Sequence, residues 1–161
     1  MNSSPHLLWT AAISGAGVLG SLTCGLVYAN FSARVMPRLA ALRPAEAVAT
    51  MQHFNVVALR APFMTAFFGS AALGLVALGL LATHRHPASW LAAVGGGLHL
   101  AGFSLTIARN EALAALPSDS AQAADLWQRY LAQWTPANTV RAALSLAAAA
   151  AFAAAVVAAR G

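Results

Sequence analysis

Four long apolar stretches dominate the chain, at about His6–Ala29, Pro62–Thr83, Ser89–Ala108 and Pro136–Ala159. Each runs about 20 residues or slightly more, and 20 helical residues span about 30 Å, the thickness of the hydrocarbon layer of a membrane. The fourth is very rich in alanine, a strong helix former. The pattern predicts an all-α fold: one integral membrane four-helix bundle occupying residues 1–161, with two long, partly helical connections on one side. The first stretch follows an N-terminus without a basic cluster and is too long for a signal-peptide core, so it is expected to be a retained helix.

The connections differ in kind. Residues 84–88 form a tight turn with Pro87, which makes spans two and three antiparallel neighbours. Residues 31–61 and 109–135 are long and show helical periodicity. In the first, Pro44 can open a helix that aligns Val48, Met51, Phe54, Asn55 and Ala58 on one face. Pro62 either starts span two or kinks a long helix begun near Pro44. In the second, Ser120 suits an N-cap before a helix carrying Leu126, Trp127, Tyr130 and Trp134, and Thr135-Pro136 reads as the cap and first residue of the last span.

Composition supports lipid as the solvent. Of 161 residues 60% are hydrophobic and 8% charged, against about a quarter charged in soluble domains. All nine basic residues are arginine. They flank apolar spans instead of clustering on a soluble face, so the net charge of +5 is not a nucleic-acid signal. Seven of the nine (Arg34, Arg38, Arg43, Arg60, Arg109, Arg129, Arg141) lie on the long-connection side, against Arg85 and Arg160 on the other. That bias predicts cytoplasmic long connections, both termini outside, and a plasma (inner) membrane location. Rows of small residues four apart (Gly17, Ser21, Gly25; Ser70, Gly74) and Gly95–Gly97 allow close helix packing, within one bundle or in a homo-oligomer. The lone Cys24 excludes an internal disulfide and reads as a small buried residue.

Residues with chemical potential fall into two groups. His99 is the one ionisable residue near the middle of a span. It is either a neutral residue hydrogen-bonded to a neighbouring helix or a functional group: a haem b or metal ligand, or an acid–base residue. A second haem ligand would have to be His53 or His99 of another copy. His84 and His86 flank Arg85 in an interfacial turn. With only Glu46, Glu111, Asp119 and Asp125, and none within a span, a carboxylate-driven pump is disfavoured. The second group is richer: Gln52, His53, Asn55, Asn110, Trp127, Tyr130, Trp134, Asn138 and Arg141 all fall near span ends on the long-connection side. An aromatic belt with arginine anchors accounts for some of these, such as Trp127 and Trp134. It does not account for the three asparagines. Amides, aromatics and an arginine together suit a small flat apolar or aromatic molecule carrying phenolic oxygens.

Several runs in this order resemble one family. They are Val35-Met36-Pro37, Met51-Gln52-x-x-Asn55 with the later Pro62-Phe63, Asn110-x-x-Leu113, and Trp127-x-x-Tyr130-x-x-x-Trp134-Thr135-x-x-Asn138-x-Val140-Arg141. The chain is similar over nearly its whole length to the DUF1772 family of small four-helix membrane proteins, which includes the fungal anthrone oxygenases. The last run is the most specific. The resemblance implies an oxygenase that uses dioxygen to convert an anthrone carbon to an anthraquinone carbonyl. It implies that Gln52, Asn55, Asn110, Trp127, Tyr130, Trp134, Asn138 and Arg141 line the site. Thr106 and Thr139 stand where the family often has Asn and His, which passes an acid–base role to His53 or His99. On this basis His53, Asn55 and Arg141 are the expected catalytic residues and the remainder bind substrate. A haem- or metal-binding redox protein using His99 or His53, and an accessory subunit of a membrane complex, stand as alternatives.

A haem on His99 predicts a Soret band in detergent-purified protein that His99→Ala abolishes. A colourless, metal-free preparation removes that reading.

Overall fold

A computed structural model describes residues 4–109 and 123–161. Asn110, Glu111, Asp119 and Ser120 lie outside the described residues. Six α-helices follow in order: α1 (Pro5–Asn30), α2 (Met36–Ala40), α3 (Pro44–Ala58), α4 (Phe63–Thr83), α5 (Pro87–Arg109) and α6 (Ala123–Ala158). A π-helical turn, Phe31–Val35, joins α1 to α2 without a break in direction. The four helices α1, α4, α5 and α6 are long and apolar enough to cross a membrane. Among the described residues there is no strand.

The bundle has the inverse of a soluble core. Its outer surface carries Leu19, Leu26, Leu75, Val76, Trp90, Val94 and Val157 in the open. Its interior holds Thr10, Ser14, Ser21, Ser70, Ser89, Ser145 and a row of alanines. In lipid, apolar bulk outside costs nothing, while small residues inside let the helix backbones approach and meet. Gly74 on α4 and Gly96 on α5 meet backbone to backbone: a Cβ on Gly96 would come within 2.6 Å of the Gly74 carbonyl oxygen. Phe152 of α6 fits against Gly17 of α1 and Gly95 of α5, where a Cβ on either would approach its ring to 2.8–2.9 Å. Helix α1 packs on α4 and α6, and α5 packs on the same two.

Helices α1 and α5 face each other across the bundle and touch through two polar rungs. His99 Nδ1 lies 3.0 Å from Ser21 Oγ, and Tyr28 Oη lies 3.3 Å from Thr106 Oγ1. Each pair is 78 residues apart in sequence. Two rungs with one common offset require the two helices to run parallel. The rungs are two helical turns apart, roughly 10 Å along the axis. His99 is thereby an interhelical strut. The Phe67 carbonyl of α4 is near enough to act on the ring, although no hydrogen bond of good geometry reaches Nε2 among the described residues.

Two expectations about helix boundaries change. The last span does not begin at Thr135-Pro136: α6 runs unbroken through Pro136 for 36 residues. Proline removes one backbone bond there. Side-chain contacts on both sides of it, described below, hold the helix together. Pro62 is resolved as the residue that precedes α4, since α3 ends at Ala58. The helix expected after Pro44 is present and buries Val48 and Met51, with Ala47, against the bundle end.

The backbone contact between α4 and α5 generates a paired prediction. Gly96→Ala should lower the thermal midpoint of the detergent-solubilised protein by a cost of about 1–3 kcal/mol, the usual range for overpacking. Gly97→Ala, whose Cβ would meet nothing within 4 Å, should leave it unchanged. Equal midpoints would mean that the two helices are not in backbone contact.

Candidate functional site

One face of α6 gathers most of the residues expected from sequence. Trp127, Tyr130, Trp134, Asn138, Arg141 and Ser145 follow one another at spacings of three or four, so they form a single stripe along the helix, and all six are buried. The stripe crosses Pro136 without losing register, which two separate helices could not guarantee. Its first three rings stack: Trp127 on Tyr130 at 5.6 Å and 20°, Tyr130 on Trp134 at 5.9 Å and 25°. Met36 and Leu39 of α2 and Ala47, Val48 and Met51 of α3 cover this ladder. Phe31, in the π-helical turn, is 6.0 Å from the Trp134 ring and 5.5 Å from the Phe54 ring. The first long connection thus folds back over the aromatic end of α6.

Arg141 is the charged centre of the stripe and only 1% exposed. Its Cζ lies over the Trp134 ring at 5.6 Å and over the Tyr28 ring at 6.0 Å. Both separations suit cation–π attraction, which strengthens where water is excluded. One ring comes from the arginine's own helix and the other from α1.

Asn138, fully buried, ties α6 to the end of α1. Its Nδ2 donates to the Tyr28 carbonyl at 2.7 Å and to Ser32 Oγ at 2.8 Å. Thr139 Oγ1 lies 3.0 Å from Ser32 Oγ and 3.0 Å from the Thr135 carbonyl. These bonds meet the α1 backbone where it widens into its π-helical turn, a local irregularity often found beside functional sites. They lie just after Pro136, the Thr139–Thr135 bond spans it, and Trp134 before it contacts Phe31, so the helix is held on both sides of the proline. Asn138 therefore has a structural role through its nitrogen. Its Oδ1 is buried and has no partner among the described residues, and the same holds for the indole Nε1 of Trp127 and of Trp134. A buried polar atom left unsatisfied is costly. Trp127 lies about 21 Å along α6 from Arg141, so the donor and acceptor nearest the guanidinium are the Trp134 indole and Asn138 Oδ1, a pair that an oxygen-bearing ligand could complete.

The remaining expected residues divide. Asn55 lies on the α3 face that also carries Ala47, Val48 and Met51, and is half-buried. Gln52 is half-buried beside that face. His53 is exposed on the opposite side of α3, with its ring 6.5 Å from that of Phe54. Asn110 lies outside the described residues. His99 belongs to the upper α1–α5 rung, deeper in the bundle than Arg141. Its Nδ1 is engaged by Ser21 and its surroundings are close-packed helix backbone. At the far end His6 and His84 stack on each other at 4.6 Å, and His86 Nδ1 accepts from the Ala88 N–H. Among the described residues no three of His, Cys, Asp and Glu come together as metal ligands would.

Sequence reasoning missed Tyr28, Ser32 and Thr106. Tyr28 sits at a span end, where a tyrosine reads as part of the aromatic belt. Its spacing of seven from Ser21 was the available signal, because it puts both on the buried face of α1. Ser32 looked like a loop residue, and nothing in a sequence announces a π-helical turn.

The geometry predicts a large structural cost for Asn138→Leu. The change leaves the Tyr28 carbonyl and Ser32 without their buried donor and should cost about 1–3 kcal/mol or more. A lowered thermal midpoint is expected, together with faster amide exchange at residues 31–35. An unchanged midpoint would remove Asn138 as the tie between α1 and α6.

The model of a family described as anthrone oxygenase matches residues 63–151. The match covers α4, α5 and most of α6, including Thr106 and the stripe from Trp127 to Ser145, and leaves out α1 to α3. No curated protein and no solved structure matches the chain.

Proposed function

Because the chain belongs to the anthrone oxygenase family, we propose that it is a membrane-embedded oxygenase that oxidises a flat aromatic ketone of the anthrone type with dioxygen. The single observation that carries this reading is the buried Arg141 guanidinium over the Trp134 ring, with the Trp134 indole and the Asn138 amide oxygen on the same stripe lacking partners among the described residues. An anthrone matches that set in chemistry: planar rings for the ladder, oxygens for the donors, a hydroxyl for the acceptor.

The reaction balances simply. The methylene carbon loses two hydrogens and gains one atom of dioxygen as a carbonyl, and the second oxygen atom leaves as water. Loss of the first proton puts negative charge on the distant ketone oxygen, as an enolate. Arg141 would stabilise that oxyanion, with Asn55 and the Trp134 indole as further donors, which favours the enolate over the neutral ketone. The electron-rich enolate can then pass electrons to dioxygen, and the resulting hydroperoxide collapses to the quinone. The aromatic ladder would hold the rings and keep bulk water away from the intermediate. His53 stands on the outer side of α3. From there it would take up the released proton through water at the rim of the site, not from the substrate carbon directly. Substrates of this kind are apolar enough to reach the site from the bilayer. The arginine bias favours a plasma membrane with the site on the cytoplasmic side.

The haem reading draws on His99 alone. The strut to Ser21 occupies its Nδ1, and the buried Nε2 without a partner among the described residues is the one observation that this reading draws on.

The test is turnover of a 1,8-dihydroxyanthrone by detergent-purified protein under ¹⁸O₂, corrected for spontaneous oxidation. One labelled oxygen is expected in the new carbonyl of the quinone. Arg141→Met should fold with the same helicity and lose roughly 100-fold or more in rate, the scale for removing an oxyanion donor. Undiminished turnover in that variant would take Arg141 out of the mechanism. Labelled product at no more than the spontaneous rate in the wild type would defeat the oxygenase reading itself.

A further inference from the structure

Tyr28 lies outside the segment matched by the family and outside every residue expected from the motifs, yet it is the most constrained side chain at this end of the bundle. Its backbone carbonyl accepts a 2.7 Å hydrogen bond from Asn138. Its hydroxyl lies 3.3 Å from Thr106 Oγ1, and Thr106 in turn donates to the Gly102 carbonyl at 3.0 Å. Its ring stands edge-on to Phe63 of α4 at 6.0 Å and 84°. Three helices, α4, α5 and α6, thus fix one side chain of α1. Over its ring lies the Arg141 guanidinium.

A tyrosine that served only as packing would need one of these contacts, not all of them. An arginine side chain is long and has four rotatable bonds. Trp134 lies on the same helix two turns before Arg141, so its contact moves with that helix. The Tyr28 ring ties the guanidinium to a second helix as well. Guanidinium groups stack on aromatic faces while keeping their in-plane N–H groups for planar, oxygen-bearing partners.

We propose that Tyr28 is a positioning residue for Arg141: its ring, with that of Trp134, helps to hold the guanidinium in place relative to the bundle. The consequence for turnover rests on the oxygenase reading above. The arrangement of ring and guanidinium does not. In this scheme the Thr106 hydroxyl and the Asn138 amide act on the chemistry at second hand, by holding Tyr28 still.

Two substitutions separate ring from hydroxyl. Tyr28→Phe keeps the ring and should hold kcat for a hydroxyanthrone within about threefold. Tyr28→Leu removes the ring and should lower kcat at least about tenfold with KM within about threefold. That split marks an interaction made mainly in the transition state. A ligand-free readout accompanies it. In the NMR spectrum of the micelle-bound wild type, ring currents should move the Arg141 Hε upfield of the other arginines, and Arg141→Lys identifies the signal by deleting it. Tyr28→Phe should keep the shift and Tyr28→Leu should lose most of it. The proposal is overturned if Tyr28→Leu leaves kcat and the resonance as in wild type. It is equally overturned if Tyr28→Phe loses as much as Tyr28→Leu, since the hydroxyl would then be what matters. Should Tyr28→Leu not fold, a wild-type Arg141 signal lying among the other arginines is sufficient to overturn the idea. A wild type that does not oxidise the anthrone defeats the oxygenase reading only, and the resonance still decides the positioning role.

Discussion

A guanidinium buried to 1% exposure in an apolar helix bundle is the constraint around which this end of the protein is arranged. An intramembrane charge is expensive, and it persists only where the surrounding structure compensates for it. Two aromatic faces are among the neighbours of Arg141, Trp134 of its own helix and Tyr28 of α1. Because the second comes from another helix, α1 has to stay close to α6 as far down as Tyr28. Asn138 holds the helices together at that level by bonding to the Tyr28 carbonyl and to Ser32. Immediately afterwards the α1 backbone widens into its π-helical turn. The chain continues in the same direction into α2, and the break at residues 41–43 turns it back, so that α2 and α3 both lie over the ladder of Trp127, Tyr130 and Trp134. The order of dependence therefore runs from charge to rings, from rings to helix contact, and from helix contact to the fold of the first connection.

Much of this was legible in the sequence, and the reasons are physical. Spans were readable because lipid requires unbroken apolar helices of a certain length, which few other constraints produce. The alignment of Trp127, Tyr130, Trp134, Asn138 and Arg141 was readable because helical spacing turns sequence intervals into faces. The continuity of α6 was not readable, because a proline after a threonine is an ordinary helix start. Only contacts with another helix reveal that the backbone is held on both sides of it. His53 and Asn55 show the same limit from another direction. They are two residues apart in a motif, yet a helix sends them to opposite sides, and only packing decides which side meets the bundle. Tyr28 shows the limit most clearly. Its identity, position and spacing were all visible, but its importance comes from four partners far away in sequence.

The two α1–α5 rungs show how similar polar contacts can differ in consequence. Ser21–His99 and Tyr28–Thr106 have the same sequence offset and join the same helices. The upper rung lies among close-packed small residues, with Gly17, Gly95 and Phe152 filling the space around the bundle axis. A hydrogen bond there holds helices in register and has no room to do more. The lower rung lies where the bundle meets the first connection, next to a charge and to polar atoms that lack partners among the described residues. The same kind of bond there sets the position of a group able to act on a ligand. Buried polar atoms without partners among the described residues occur at both levels, His99 Nε2 at the upper rung and Asn138 Oδ1 and the Trp134 indole near the lower. What separates the rungs is the charge: the ring of the lower one lies beneath the Arg141 guanidinium, and the upper one has no such neighbour among the described residues. On the oxygenase proposal, that difference is what would let the lower end meet the oxygens of an apolar substrate.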